Sequence, residues 1–81
     1  MKMIIIIDTT DYKKIIKDIK LLQLNYNISV NRHIRDPLRT LIQINNIYCL
    51  SCLSRLFNIN KIAYTIYPGE WKNYELYKKT K

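Results

Sequence analysis

Arg32, His33, Arg35 and Arg39 fall within a window of eight residues that holds three of the chain's four arginines. A guanidinium is a planar fork of donors that matches the oxygens of a phosphate or carboxylate, so a cluster of this kind can grip an anion. A basic two-stranded ribbon can also enter a nucleic-acid groove or lie along its backbone. The plain alternative is a solvated hairpin tip with Asp36 pairing locally. Arg32 is set apart from its neighbours, because strict alternation places it in register with Ile28 and Val30.

Other residues could extend or replace that chemistry. Lys13, Lys17 and Lys20 recur on one side of a helical segment, where they either add to a basic surface or simply form its wet face. The segment from Trp71 to Lys79 interleaves Trp71, Tyr74 and Tyr77 with lysines, offering ring faces for base stacking or apolar area for covering a sheet. Cys49 and Cys52 match C-x-x-C, but zinc takes four ligands and His33 is the one further soft donor, so no metal site and no cofactor is expected. Placed inside a helix, Cys49 is a small core residue and Cys52 a boundary residue, not a redox pair. His33 has no Ser or Cys nucleophile near it in sequence and reads as a surface histidine.

These residues must be held by a small frame. Met3 to Ile7 is a run of five apolar residues ended by Asp8, a strand leading directly into a helix. Asp8, Thr9, Thr10 and Asp11 carry the short oxygens that cap a first turn. Tyr12, Ile15, Ile16, Ile19 and Leu22 then recur at helical spacing opposite the lysines. From Tyr26 the period changes to two, and Asp36-Pro37 breaks it, so 35–38 is a hairpin tip leading into a strand from Arg39 to Asn45. Asn45 or Asn46 caps a second helix, with Leu50, Leu53 and Phe57, flanked by Ile47, Cys49 and Leu56, as its buried stripe and an end near Asn58. Lys61 to Tyr67 alternates as a last strand, stopped by Pro68-Gly69.

This order is β-α-β-β-α-β, which predicts a single α+β domain of the ferredoxin-like type: 1–67 as core and 68–81 as an aromatic, basic tail. The expected sheet is antiparallel, with strand order 4-1-3-2 and two helices on one face. Its other face, with Leu41 beside the first strand, is expected to be open and to need Trp71, Tyr74 and Tyr77 or a second copy as cover.

With 81 residues and a formal net charge of +8, the chain has a thin core and favours an anionic partner: nucleic acid first, an acidic protein surface next. Ile, Lys, Asn and Tyr make up about half the chain, a bias that A/T-rich coding would produce and that suits a small viral or mobile-element frame. The opening apolar run is shorter than the roughly 7–15 residues of a signal-peptide core, and no stretch approaches the roughly 18 of a membrane span, so a cytoplasmic location without membrane contact is expected.

Ile4-Ile5-Ile6-Ile7-Asp8 resembles the opening of CRISPR-associated Cas2 proteins and VapD-like ribonucleases. That resemblance implies an acidic residue, Asp8, holding metal at a dimer interface of a metal-dependent nuclease. The RNA-recognition module has the same element order but stacks bases on aromatics of its first and third strands. Met3 to Ile7 and Thr40 to Ile44 contain none. The leading expectation is therefore a non-enzymatic binding protein that engages an anion through the arginine hairpin. A viral accessory protein that binds and inhibits a host complex through the same patch is the alternative, and the nuclease a second.

Overall fold

Four consecutive isoleucines, each branched at Cβ and stiff at χ1, favour extended backbone, and they build the strand on which the sheet is assembled. The computed structural model describes residues 2–33 and 36–69. In chain order its elements are β1 (Met3–Asp8), α1 (Thr9–Lys14), α2 (Ile16–Leu22), β2 (Ile28–Arg32), β3 (Arg39–Ile44), α3 (Ile47–Ile59) and β4 (Thr65–Pro68). The expected four-stranded antiparallel sheet with helices is present, in the order β2-β3-β1-β4. β1 runs from Met3 opposite Ile44 to Asp8 opposite Arg39 on β3, and from Met3 opposite Pro68 to Ile6 opposite Thr65 on β4.

Alternation along β1 divides the interior in two. Met3, Ile5 and Ile7 join Ile28, Ile42 and Ile44 from the neighbouring strands with Ile15, Ile19, Cys49, Leu53 and Phe57 from the helical side. Ile4, Ile6 and Leu41 form a separate cluster on the reverse face, 1%, 6% and 0% exposed. The face that the pattern leaves open is thus closed at its centre, and Leu41 is not a surface residue. Ile6 sits opposite Leu41 on β3, so the apolar pair is built by register between the two central strands. Trp71, Tyr74 and Tyr77 lie outside the described residues.

The first helix differs from the single one expected. At Ile15 the backbone leaves helical geometry (φ −122°, ψ 15°), its N–H bonding to the Tyr12 carbonyl three residues back, and α2 starts afresh at Ile16. The break falls at a pair of β-branched residues, poorer helix formers than the leucines and lysines around them. It lets the first turn stay tied to the hairpin while Ile15 and Ile19 both become fully buried. Exposed Lys13, Lys17 and Lys20 consequently belong to two short helices, with Lys13 on α1 and the other two on α2.

Asn46 caps α3, its side-chain oxygen accepting from the N–H groups of Tyr48 (2.7 Å) and Cys49 (3.3 Å). Cys49, Leu53 and Phe57 are the fully buried stripe, whereas Ile47, expected to flank it, is exposed. Past the helix the Ile62 N–H bonds to Phe57 O (2.8 Å) and the Lys61 N–H to Asn58 O (3.2 Å), the paired bonds of a Schellman ending. That ending uses residues 61 and 62, so the last strand starts at Thr65 instead of Lys61. Ile62 is tucked into the core, and Tyr64 lies against Phe57 with ring centroids 5.0 Å apart.

The Schellman ending puts Lys61 at φ 56°, the left-handed region where a Cβ is unfavourable. Replacing Lys61 with Gly removes that strain, and the variant is expected to gain about 0.5–1 kcal/mol in urea unfolding. Asn46→Ala should lose about 1 kcal/mol in the same assay, because two N–H groups of the first turn lose their acceptor.

Candidate functional site

Thr9 ties the start of α1 to the hairpin. Its N–H donates to Leu38 O at 2.8 Å, and its hydroxyl donates to Pro37 O at 2.9 Å. Thr40 Oγ1 lies 3.0 Å from Thr9 Oγ1. Since the Thr9 proton is already given to a carbonyl that can only accept, Thr40 is the donor in this pair. Thr40 is the one buried polar side chain among the described residues, and this bond satisfies it.

Beside this junction, between α1 and the end of β2, lies a cleft of about 280 Å³ lined by Thr9, Tyr12, Lys13, Ile16, Val30, Asn31, Arg32 and Thr40. Arg32 stands opposite Thr40 in the register of β2 and β3, on the helix-facing side of the sheet. The alternation that groups it with Ile28 and Val30 therefore has a structural outcome: Arg32 reaches past the edge of the apolar core into the cleft. Lys13 comes from α1 to the same cleft. The two cations are distant in sequence and meet here beside the Tyr12 ring and the two threonines of the junction. The ammonium and the guanidinium supply both the charge and the donors that an anion needs, while the protons of the two threonine hydroxyls are already committed within the junction.

The other members of the arginine cluster do not join Arg32. Arg39 lies on the opposite sheet face, where its Nε is 3.6 Å from Asp36 and 3.8 Å from its cross-strand neighbour Asp8. These are exposed, loose ion pairs, individually worth little to stability, about 0–1 kcal/mol, but they offset its charge locally. His33 Nδ1 accepts the Asp36 N–H at 3.1 Å, so this imidazole helps hold the hairpin turn. The Asp36 side chain accepts from the Leu38 N–H at 3.1 Å, the self-bonded turn that Asp-Pro predicts. Arg35 lies outside the described residues. Lys17 and Lys20 are exposed on α2 and do not line the cleft.

Comparison with protein-family models, curated proteins and solved structures finds no significant match. The chemistry of the site rests on its own geometry. Asp8 occupies the N-cap position of α1, yet its side chain makes no capping hydrogen bond, which corrects the expectation that it caps the helix. It turns instead to Arg39. Among the described residues no three His, Cys, Asp or Glu side chains are grouped closely enough to hold a metal ion. No described helix is long and apolar enough to cross a membrane.

Cys49 and Cys52 sit within α3, the first buried and the second partly so, and both are free thiols. Burial, with a smaller contribution from neighbouring Cys52, pushes the Cys49 thiol up to about 11, so it behaves as an apolar packing group. A hydrogen bond with Cys52 raises the Tyr26 phenol as well.

Thr9, Tyr12, Asn31 and Thr40 were not legible as site residues. The one available signal was Thr40's shared parity with Ile42 and Ile44, which points it to the helix side without saying what it meets there.

The Thr9 junction yields a direct test. Thr9→Val keeps the branched shape but leaves the buried Thr40 hydroxyl without its acceptor, and urea unfolding is expected to show a loss of about 1–3 kcal/mol. Thr9→Ser should retain most of that stability. In Thr9→Val/Thr40→Val the loss should be smaller than the sum of the single losses, because the orphaned donor is gone.

Proposed function

We propose that this protein is a small, basic, non-enzymatic binding protein of ferredoxin-like architecture that holds an anionic partner, nucleic acid by preference, in the cleft between α1 and β2. The architectural part is supported by the strand order, since β2-β3-β1-β4 is the sequence 4-1-3-2 counted from the other edge of the sheet. The division of the first helix at Ile15 departs from the simplest form of that plan.

One observation carries the functional reading: Arg32 and Lys13 converge on a single cleft from separate elements, beside a half-buried tyrosine ring. A backbone phosphate suits the two cations, and Tyr12 offers a face to an adjacent base or sugar. The formal charge of +8 adds long-range attraction for a polyanion. Contacts of this type follow the backbone and are indifferent to sequence, so binding should be broad in sequence and steep in salt.

Fluorescence anisotropy with labelled single-stranded RNA, single-stranded DNA and duplex, repeated over a salt series, tests this reading. Arg32→Ala and Lys13→Ala should each weaken binding to every sequence and lower the salt slope by about one unit. Arg39→Ala should have a clearly smaller effect, because two carboxylates already face its guanidinium. Equal losses for Arg32 and Arg39 would move the contact surface from the cleft to the hairpin tip. Displacement of the nucleic acid by poly-glutamate at matched charge would favour an acidic protein surface as partner.

A further inference from the structure

The reverse face of the sheet is closed at Ile4, Ile6 and Leu41, and several of the large apolar side chains in contact with solvent, Leu21, Ile47, Tyr48 and Ile59, belong to α2 and α3. Between α2 and α3 runs a groove of about 300 Å³. Its half-buried floor is Leu22, Cys52 and Leu56; its rim carries Leu21, 62% exposed, and Ile59, 72% exposed. Asp18 on α2 and Arg55 on α3 stand on the two walls. Both are exposed, and neither makes an ion pair with another described residue.

One acid and one base on opposite walls of an apolar groove make a surface complementary to itself. A half-turn about an axis through the groove sets Asp18 of each copy against Arg55 of the other while Leu21 and Ile59 close over the apolar floor. A uniformly acidic or basic partner would satisfy one of these charges and oppose the other. We infer that the α2–α3 groove is a two-fold interface between copies of this chain. It shares no lining residue with the Arg32 cleft, so self-association and anion binding can occur together.

On α3 the stripe Tyr48, Cys52, Arg55 and Ile59 repeats at four-, three- and four-residue steps, a strip about 17 Å long at 1.5 Å per residue. An interface built on so short a strip lies towards the small end of specific association, below about 800 Å² per partner, which means a concentration-dependent dimer.

Sedimentation velocity of the full chain across about 5 to 500 µM is therefore expected to show a shift from one to two chain masses. Asp18→Arg and Arg55→Asp, each with unchanged far-ultraviolet circular dichroism, should each weaken the dimer by about tenfold or more through like-charge opposition. The double reversal Asp18→Arg/Arg55→Asp re-creates both pairs with exchanged signs and should restore association to within about threefold. A single chain mass for the unaltered protein at the highest concentration overturns the inference without recourse to any variant. Dimerisation indifferent to the single reversals, or not restored by the double one, overturns it equally, assigning the contact to another surface or the groove to a different protein.

Discussion

β1 is the interaction on which every other part of the structure depends. It is flanked by a strand on each edge and apolar on both faces, with Met3 to Ile7 all buried, so it has no solvent-facing side on which a substitution would be cheap. Each fully buried isoleucine contributes about 1.5–3 kcal/mol by removal from water, a large share of the stability available to a domain of this size. The helices pack on one set of its side chains, and Leu41 on the other. Because a one-residue slip would exchange the two sets, register with β3 fixes both faces together.

From that register follows the division of the charges. Ile7 opposite Thr40 and Asp8 opposite Arg39 bring consecutive residues of β3 to opposite faces, so Thr40 meets Thr9 under the helix while Arg39 meets Asp8 on the reverse. Arg32, opposite Thr40, is carried to the helix side by the same parity. Two arginines that are near neighbours in sequence and in the hairpin thus work in different surroundings. One enters a cleft with Lys13; the other lies between two carboxylates.

Sequence made the antiparallel sheet, a cap at Asn45 or Asn46 and the grouping of Arg32 with the apolar side of its strand legible, because each depends on local spacing or on period alone. The partnership of Arg32 with Lys13 was not legible, since it requires knowing how α1 lies over β2. Asp8 misled for a related reason: a cap and a cross-strand ion pair ask for the same residue at the end of a strand, and only the register with Arg39 separates them. The division at Ile15 and the left-handed Lys61 have no punctuation in the sequence, neither proline nor glycine, to mark them. The need for a cover over Leu41 was legible in the apolar pattern of that face, and the burial of Leu41 agrees with it.

The placement of β1 between β3 and β4 also has a consequence for synthesis. Its partners are the third and fourth strands, so the most apolar segment leaves the ribosome before either of them and lacks both until Arg39 to Ile44 has followed, with Thr65 to Pro68 later still. At about 5–20 residues per second the isoleucine run waits several seconds with both edges open, the period in which such segments associate with one another. Lys2 and Asp8, charged residues at either end of the run, bracket it throughout that wait, in the flanking positions where charges oppose association of apolar strands.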